Sequence, residues 1–257
     1  MPYGITGDFF PIGQETQTVN YYFITGTSRG IGKALAEAIL EKEEVKVVGI
    51  SRTNTLSHPD FRYVEMDLAN MDDVNFWKFP DFKSADKIVL VNNAGAIGHV
   101  KQVGGMDNDA IARLFTINLT APCVLINNFL KTYGQKNAPL VIMNISSGAG
   151  KNPIDGWSSY CASKSALDMF SRVVAEEIAV SGKKHIRIFS VAPGIVDTAM
   201  QDEIRRASIE DFSRIQQFEE YKTSGQLVQP DLIARKLLSI LDLPEKFPET
   251  VFSAKDI

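Results

Sequence analysis

Tyr160 and Lys164 stand four places apart in "YCASK", with only small residues between them. On a helix that spacing puts both side chains on one face, a turn apart. An ammonium held beside a phenol favours the phenolate and lowers its pKa, so the pair could pass a proton near neutral pH. A solvated helix face that happens to carry Tyr and Lys would have the same spacing. The pair therefore needs a setting before it means anything.

One setting is "TGTSRGIG", residues 25–32, in which Gly26, Gly30 and Gly32 follow the spacing G-x-x-x-G-x-G between an apolar run and a helical stretch. Glycines in a strand-to-helix turn let a backbone come close to a pyrophosphate seated on the helix N-terminus. Close packing of strand on helix would also require them. About twenty residues further on, where an acid would bind a ribose 2′-hydroxyl, the chain has Ser51 and Arg52 and no carboxylate. Arg29, inside the turn, supplies a second guanidinium. Two such groups attract a 2′-phosphate, so the expected cofactor is NADPH rather than NADH; without the glycine turn both would read as solvated surface charges. "NNAG" (92–95) suits irregular backbone beside a ligand, or an ordinary turn. "NISSGAGK" (144–151) brings Ser146 and Ser147, and "APG" (192–194) closes a later strand. A phosphate loop of the G-x-x-x-x-G-K-[ST] kind is excluded by Ile145 and Asn152, and no G-x-S-x-G elbow occurs.

These residues must be held by something. The runs 21–25, 45–51, 61–66, 87–93, 139–146 and 185–192 are nearly continuous in β-branched and aromatic residues, as strands covered on both faces are. Between them, 30–42, 71–78, 108–132 and 158–181 carry helical periodicity, and a further helix falls near 230–242. The alternation predicts an α/β fold: a Rossmann-type, doubly wound parallel sheet with helices on both faces, forming one domain over 21–257. Residues 1–20 read as an extension, and 195–228 as a charged, partly helical insertion placed to act as a lid.

The 257 residues, 44% of them hydrophobic, suffice for a large core. A net charge of −4 leaves no basic footprint for nucleic acid or an anionic membrane. No apolar run approaches the roughly 18 residues of a membrane span, and "MPYGITGDFF" lacks the blocks of a secretory signal; a cytoplasmic protein is expected. Cys123 and Cys161 read as small buried hydrophobes in helices rather than a disulfide. His58, His99 and His185 are too scattered to hold a metal.

Taken in order, "TGTSRGIG", "NNAG", "NLT" (118–120), "SSG", "YCASK" and "PG" resemble the short-chain dehydrogenase/reductase family from about residue 20 to the end. "KNPIDGWSSYCASKSALDMF" and "PGIVDTAMQDEIR" are most similar to its sepiapterin reductase and benzil reductase branch. The resemblance implies a catalytic tetrad of Asn118, Ser147, Tyr160 and Lys164, with Ser147 chosen over Ser146 because the family serine lies thirteen residues before the tyrosine. It implies a cofactor shell of Gly26, Ser28, Arg29, Gly30, Ile31, Gly32, Arg52, Asp67, Asn93, Ala94, Gly95, Tyr160, Lys164, Pro193, Gly194 and Thr198. In that reading Asp67 touches the adenine, although alone it would be a helix cap. Asn118 would fix a water-linked proton path to Lys164.

The implied activity is carbonyl reduction, with Tyr160 as proton donor and Ser147 bound to the carbonyl oxygen. Trp157 and Met200, with Phe218 in the lid, are candidates for the substrate pocket, though a lone tryptophan is as easily core packing. Sepiapterin reductases anchor the pterin with an acid near the C-terminus; here only Asp256 could serve, out of register, which turns the expectation towards aromatic or vicinal diketones. An alcohol dehydrogenase working oxidatively and a non-catalytic dinucleotide-binding regulator are the alternatives, the latter opposed by the complete tetrad. Family members commonly pair through their two long helices, so a homodimer or homotetramer is expected, with Leu167, Phe170, Val174 and Ile178 on the apolar face.

Overall fold

The computed structural model describes residues 19–82 and 84–257; the expected extension lies, up to residue 18, outside them. The strands are β1 (Asn20–Thr25), β2 (Val45–Ser51), β3 (Phe61–Glu65), β4 (Lys87–Asn92), β5 (Leu140–Ile145), β6 (Ile186–Ala192) and β7 (Val251–Ser253). They form one sheet in the order β3-β2-β1-β4-β5-β6-β7, every neighbouring pair parallel. The helices are α1 (Gly30–Leu40), α2 (Met71–Phe76), α3 (Asn108–Phe115), α4 (Ala121–Tyr133), α5 (Ser158–Val180), α6 (Ala199–Ile204), α7 (Ile215–Thr223) and α8 (Pro230–Asp242). This is a single Rossmann-like domain.

Side chains alternate across a strand, and the core follows that rule on both sides. Tyr22 and Ile24 of β1 pack with Val89 and Val91 of β4 against Leu35 and Ile39 of α1 and Leu237 and Ile240 of α8. Tyr21 and Phe23 turn the other way, with Leu90 and Ile142, onto Leu125, Phe129 and Tyr133 of α4 and Val174 of α5. The chain leaves β1 on one face of the sheet and β4 on the other. In such a sheet the two neighbouring strand ends open a crevice.

Helical periodicity over 108–132 resolves into α3, a π-helical turn (Thr116–Thr120) and α4. The whole stretch Asn108–Tyr133 is, contrary to the count of apolar runs, long and apolar enough to cross a membrane by length and composition. Polar residues interrupt it, so no run is continuous, and its apolar face is accounted for by the sheet beneath α4. β7, three residues long, was too short to register as a strand. Cys123 and Cys161 are both free and half-buried, less enclosed than expected.

The excursion over 195–228 contains α6 and α7. It starts and ends at a single parallel bridge between Val196 and Val228, and Ile204, Phe212 and Phe218 pin it onto Trp157 and Tyr160.

Candidate active site

Gly26 follows β1 with φ +76°, its N–H bonded to Ile50 O at 2.8 Å. That left-handed backbone favours glycine. A Cβ on Gly32 would fall 2.3 Å from Asn93 Nδ2 and 2.4 Å from Gly26 O, so no side chain fits between α1 and the end of β4. Asn93 Nδ2 donates to Thr25 O at 2.9 Å and Gly26 O at 3.3 Å. Thr25 Oγ1 accepts from the N–H groups of Asn93 and Ala94, both at 3.0 Å. "NNAG" and the glycine turn are thus clipped into one unit.

Above this unit lies a cavity of 1060 Å³, just beyond the roughly 300–1,000 Å³ usual for ligand clefts. Of the residues expected around a cofactor, all but Gly32 line it. Gly32 belongs beneath the turn, where its lack of a side chain permits the close packing just described. Arg29, at the start of α1, makes no capping bond, and Gly30 and Ile31 face the cavity. An uncapped helix N-terminus opening onto a cleft suits a pyrophosphate. Thr55 Oγ1 donates to Ser28 O at 2.8 Å, tying the loop after β2, with Arg52, to the turn that carries Arg29. Arg29 also faces Glu203 at 3.9 Å. Partial burial pushes the Asp67 carboxyl up, but the Ala69 N–H and the Arg113 and Arg52 guanidinium groups outweigh it and hold it below the usual carboxylate range. The residues present fit a dinucleotide.

At the opposite end Tyr160, Lys164 and Ser147 line the wall, brought together by the start of α5 and the end of β5. Ser147 caps the short turn Gly148–Gly150 and is hydrogen-bonded to the Tyr160 phenol. Lys164 is 4% exposed; its Nζ donates to Ile145 O at 2.8 Å and lies 5.8 Å from the centre of the Tyr160 ring. The expected acidification of the phenol is not found. Burial pushes Tyr160 up to about 12, against the pull of Ser147, because the ammonium is engaged by a carbonyl instead of the phenol oxygen. Burial in turn lowers Lys164 to about 8, with Asp168 working the other way.

Asn118 sits in the π-helical turn, a distortion frequent at functional sites, and is 1% exposed. Its Oδ1 accepts from Ala96 N at 2.9 Å, and its Nδ2 donates to Ala96 O at 2.8 Å and Ser163 Oγ at 3.3 Å. The carboxamide holds the strand-end loop and α5 together. Oδ1 and Lys164 Nζ both border Gly95, 3.4 and 3.6 Å from where its Cβ would be.

Trp157, Met200 and Phe218 all line the cavity beside Tyr160. Trp157 stands edge-on to Tyr160 with ring centres 5.6 Å apart, stacks on Phe212 at 5.5 Å and meets Phe218 at 5.4 Å. Sequence reasoning missed Ile97, Ile154, Tyr221, Asp168 and Lys255, which also line it. Only Asp168 carried a signal, its place one turn after Lys164. The stem of Lys255 crosses Gly194, its Cε 3.1 Å from a Cβ there, whereas Asp256 is exposed and off the wall.

The family model for short chain dehydrogenase matches residues 20–209. The chain belongs to that family. Short-chain dehydrogenases are oxidoreductases that work with nicotinamide dinucleotides. A "Benzil reductase ((S)-benzoin forming)" of Bacillus subtilis (strain 168) is 38% identical over 227 residues, covering 86% of this chain and 93% of that one. A sepiapterin reductase of Bos taurus is 29% identical, over 85% and 88%. A crystal structure of a short-chain dehydrogenase/reductase from Saccharomyces cerevisiae superposes with a TM-score of 0.78 at 25% identity, covering 91% of this chain and 96% of that one.

Proposed function

We propose that this short-chain dehydrogenase is an NADPH-dependent carbonyl reductase acting on aromatic or vicinal diketones. The observation that carries the reading is the buried, neutral Tyr160 phenol, hydrogen-bonded to Ser147 with Lys164 beneath its ring. A phenol that titrates near 12 keeps its proton at neutral pH; it is ready to give one, which suits reduction better than oxidation. When bound, a reduced nicotinamide supplies the hydride. Ser147 donates a hydrogen bond to the carbonyl oxygen, where negative charge develops, and Tyr160 delivers its proton there. Lys164 stabilises the phenolate left behind. Asn118 keeps the Ala96 backbone and α5 in register around them. The aromatic wall of Trp157 and Phe218 supports a flat, apolar substrate, and the absence of Asp256 from the wall argues against a pterin. The relative's name, benzil reductase, points the same way.

Following NADPH absorbance with benzil, an aliphatic 1,2-dione and sepiapterin tests this. Consumption is expected with the diketones, well above sepiapterin. Tight NADPH binding with no consumption on any carbonyl would favour the non-catalytic regulator.

Cofactor choice rests on Arg29 and Arg52, which both line the cavity from loops joined by the Thr55–Ser28 bond. Charge-assisted bonds to a 2′-phosphate are worth about 1.5–3 kcal/mol each. Arg52→Ala should therefore lower kcat/KM for NADPH about 10- to 100-fold and leave NADH use nearly unchanged. Equal use of both cofactors by the wild type would count against the two-arginine argument.

Self-association belongs to the same proposal, with a changed surface. Leu167 and Val174 are buried, and Phe170 and Ile178 pack on the core, so these four face inward. The apolar residues that α5 presents outward are Met169, Val173 and Val180. A homodimer through that face predicts twice the chain mass in light scattering and a monomer for Val173→Glu; a monomeric wild type would remove it.

A further inference from the structure

Asp168 lies one turn after Lys164 on the same face of α5, is 6% exposed and borders the cavity. Ser190 Oγ, on β6, donates to its Oδ1 at 2.6 Å. Its Oδ2 abuts Gly150, 2.9 Å from where a Cβ would stand. Ser190 is itself fully buried. A carboxylate in such a place is costly unless a cation answers it, and one neutral hydroxyl does not suffice. Lys164 has the converse problem. It is buried, and among the described residues its hydrogen bond goes to a neutral carbonyl. The groups around Lys164 from other elements carry no charge: Gly95 after β4 and Asn118 in the π-helical turn, and Ile145 at the end of β5; Ser147 and Ser190, which line the same cavity, carry none either. Tyr160, on α5 itself, is neutral. Among the described residues Asp168 is the one charge acting on this lysine.

We propose that Asp168, braced by Ser190, is a positioning residue whose buried carboxylate keeps Lys164 cationic and so sets the pH range in which the Tyr160–Lys164 pair works. The pH consequence rests on the reductase reading above; the charge coupling itself does not. Burial pulls Lys164 down and Asp168 resists, the two together leaving it at about 8. The charged lysine is present below that pH and lost as pH rises through it. Without the carboxylate the loss comes earlier.

The test is Asp168→Asn, which keeps shape and an acceptor for Ser190. In protein labelled with 13C-lysine, the side-chain signal absent from Lys164→Arg is titrated. One charge removed at helical-neighbour distance should lower the proton affinity of Lys164 about 10- to 100-fold. With benzil and NADPH, the alkaline limb of kcat/KM should move to lower pH by the same factor. Activity then falls about tenfold at pH 8 and little at pH 6, and Asp168→Glu restores the limb. A merely structural role would lower activity at all pH values and leave the limb in place. Should Asp168→Asn not fold, Asp168→Ser, smaller and also neutral, carries the same expectation. An unmoved lysine titration in a folded neutral variant overturns the proposal, whatever the activity. A moved titration in a protein that reduces no carbonyl upholds the coupling and sinks the reductase reading instead.

Discussion

Tyr160→Phe is expected to lower kcat/KM for carbonyl reduction by about 10²- to 10⁴-fold, the usual worth of a positioned general acid, while NADPH binds as before. The substitution removes one oxygen. The ring stays in its place, edge-on to Trp157, and the hydrogen bond to Ser147 is lost. Lys164 remains bonded to Ile145 O, so the cofactor end of the cavity is undisturbed. The loss should therefore fall on kcat, with cofactor affinity from fluorescence titration unchanged. Turnover within a few-fold of wild type would take Tyr160 out of the mechanism.

Ser147→Ala is the second large effect, about 10²- to 10³-fold in kcat, by analogy with removal of one donor to a developing oxyanion. Two consequences separate it from Tyr160→Phe. The phenol loses the hydrogen bond that opposes burial, so its pKa moves further up and it becomes a poorer acid. The turn Gly148–Gly150 also loses its cap, the Ala149 N–H to Ser147 Oγ contact at 3.2 Å, which costs about 1 kcal/mol of stability. Ser147→Thr keeps the hydroxyl and should recover most of the rate. A Ser147→Ala enzyme with normal kcat would mean that the carbonyl oxygen is held elsewhere.

Much of this arrangement was legible in the chain because the sheet is covered on both faces. Continuous apolar runs such as "VKVVGIS" then coincide with whole strands, and β2 spans that stretch. The glycine turn, "NNAG" and "YCASK" were found because each follows a strand or opens a helix, where spacing translates directly into geometry. The sequence did not disclose what depends on contacts between distant segments. Gly32 was placed on the cofactor, yet it serves the fit of α1 against Asn93. The direction of the Tyr160 shift was misread because spacing along a helix reports proximity but not burial. The π-helical turn at Asn118 has no periodicity signal over five residues. Phe212, within the charged insertion, is fully buried against Trp157, a contact between distant segments that spacing does not report.

Reduction requires a carbonyl oxygen lying between Tyr160 and Ser147, and a crystal structure with NADP and benzoin bound tests that directly. The hydroxyl oxygen of the product is expected within hydrogen-bond reach, about 2.6–3.2 Å, of both Tyr160 Oη and Ser147 Oγ, with the rings against Trp157 and Phe218. An oxygen held by other groups, with Tyr160 turned away from it, would contradict the account.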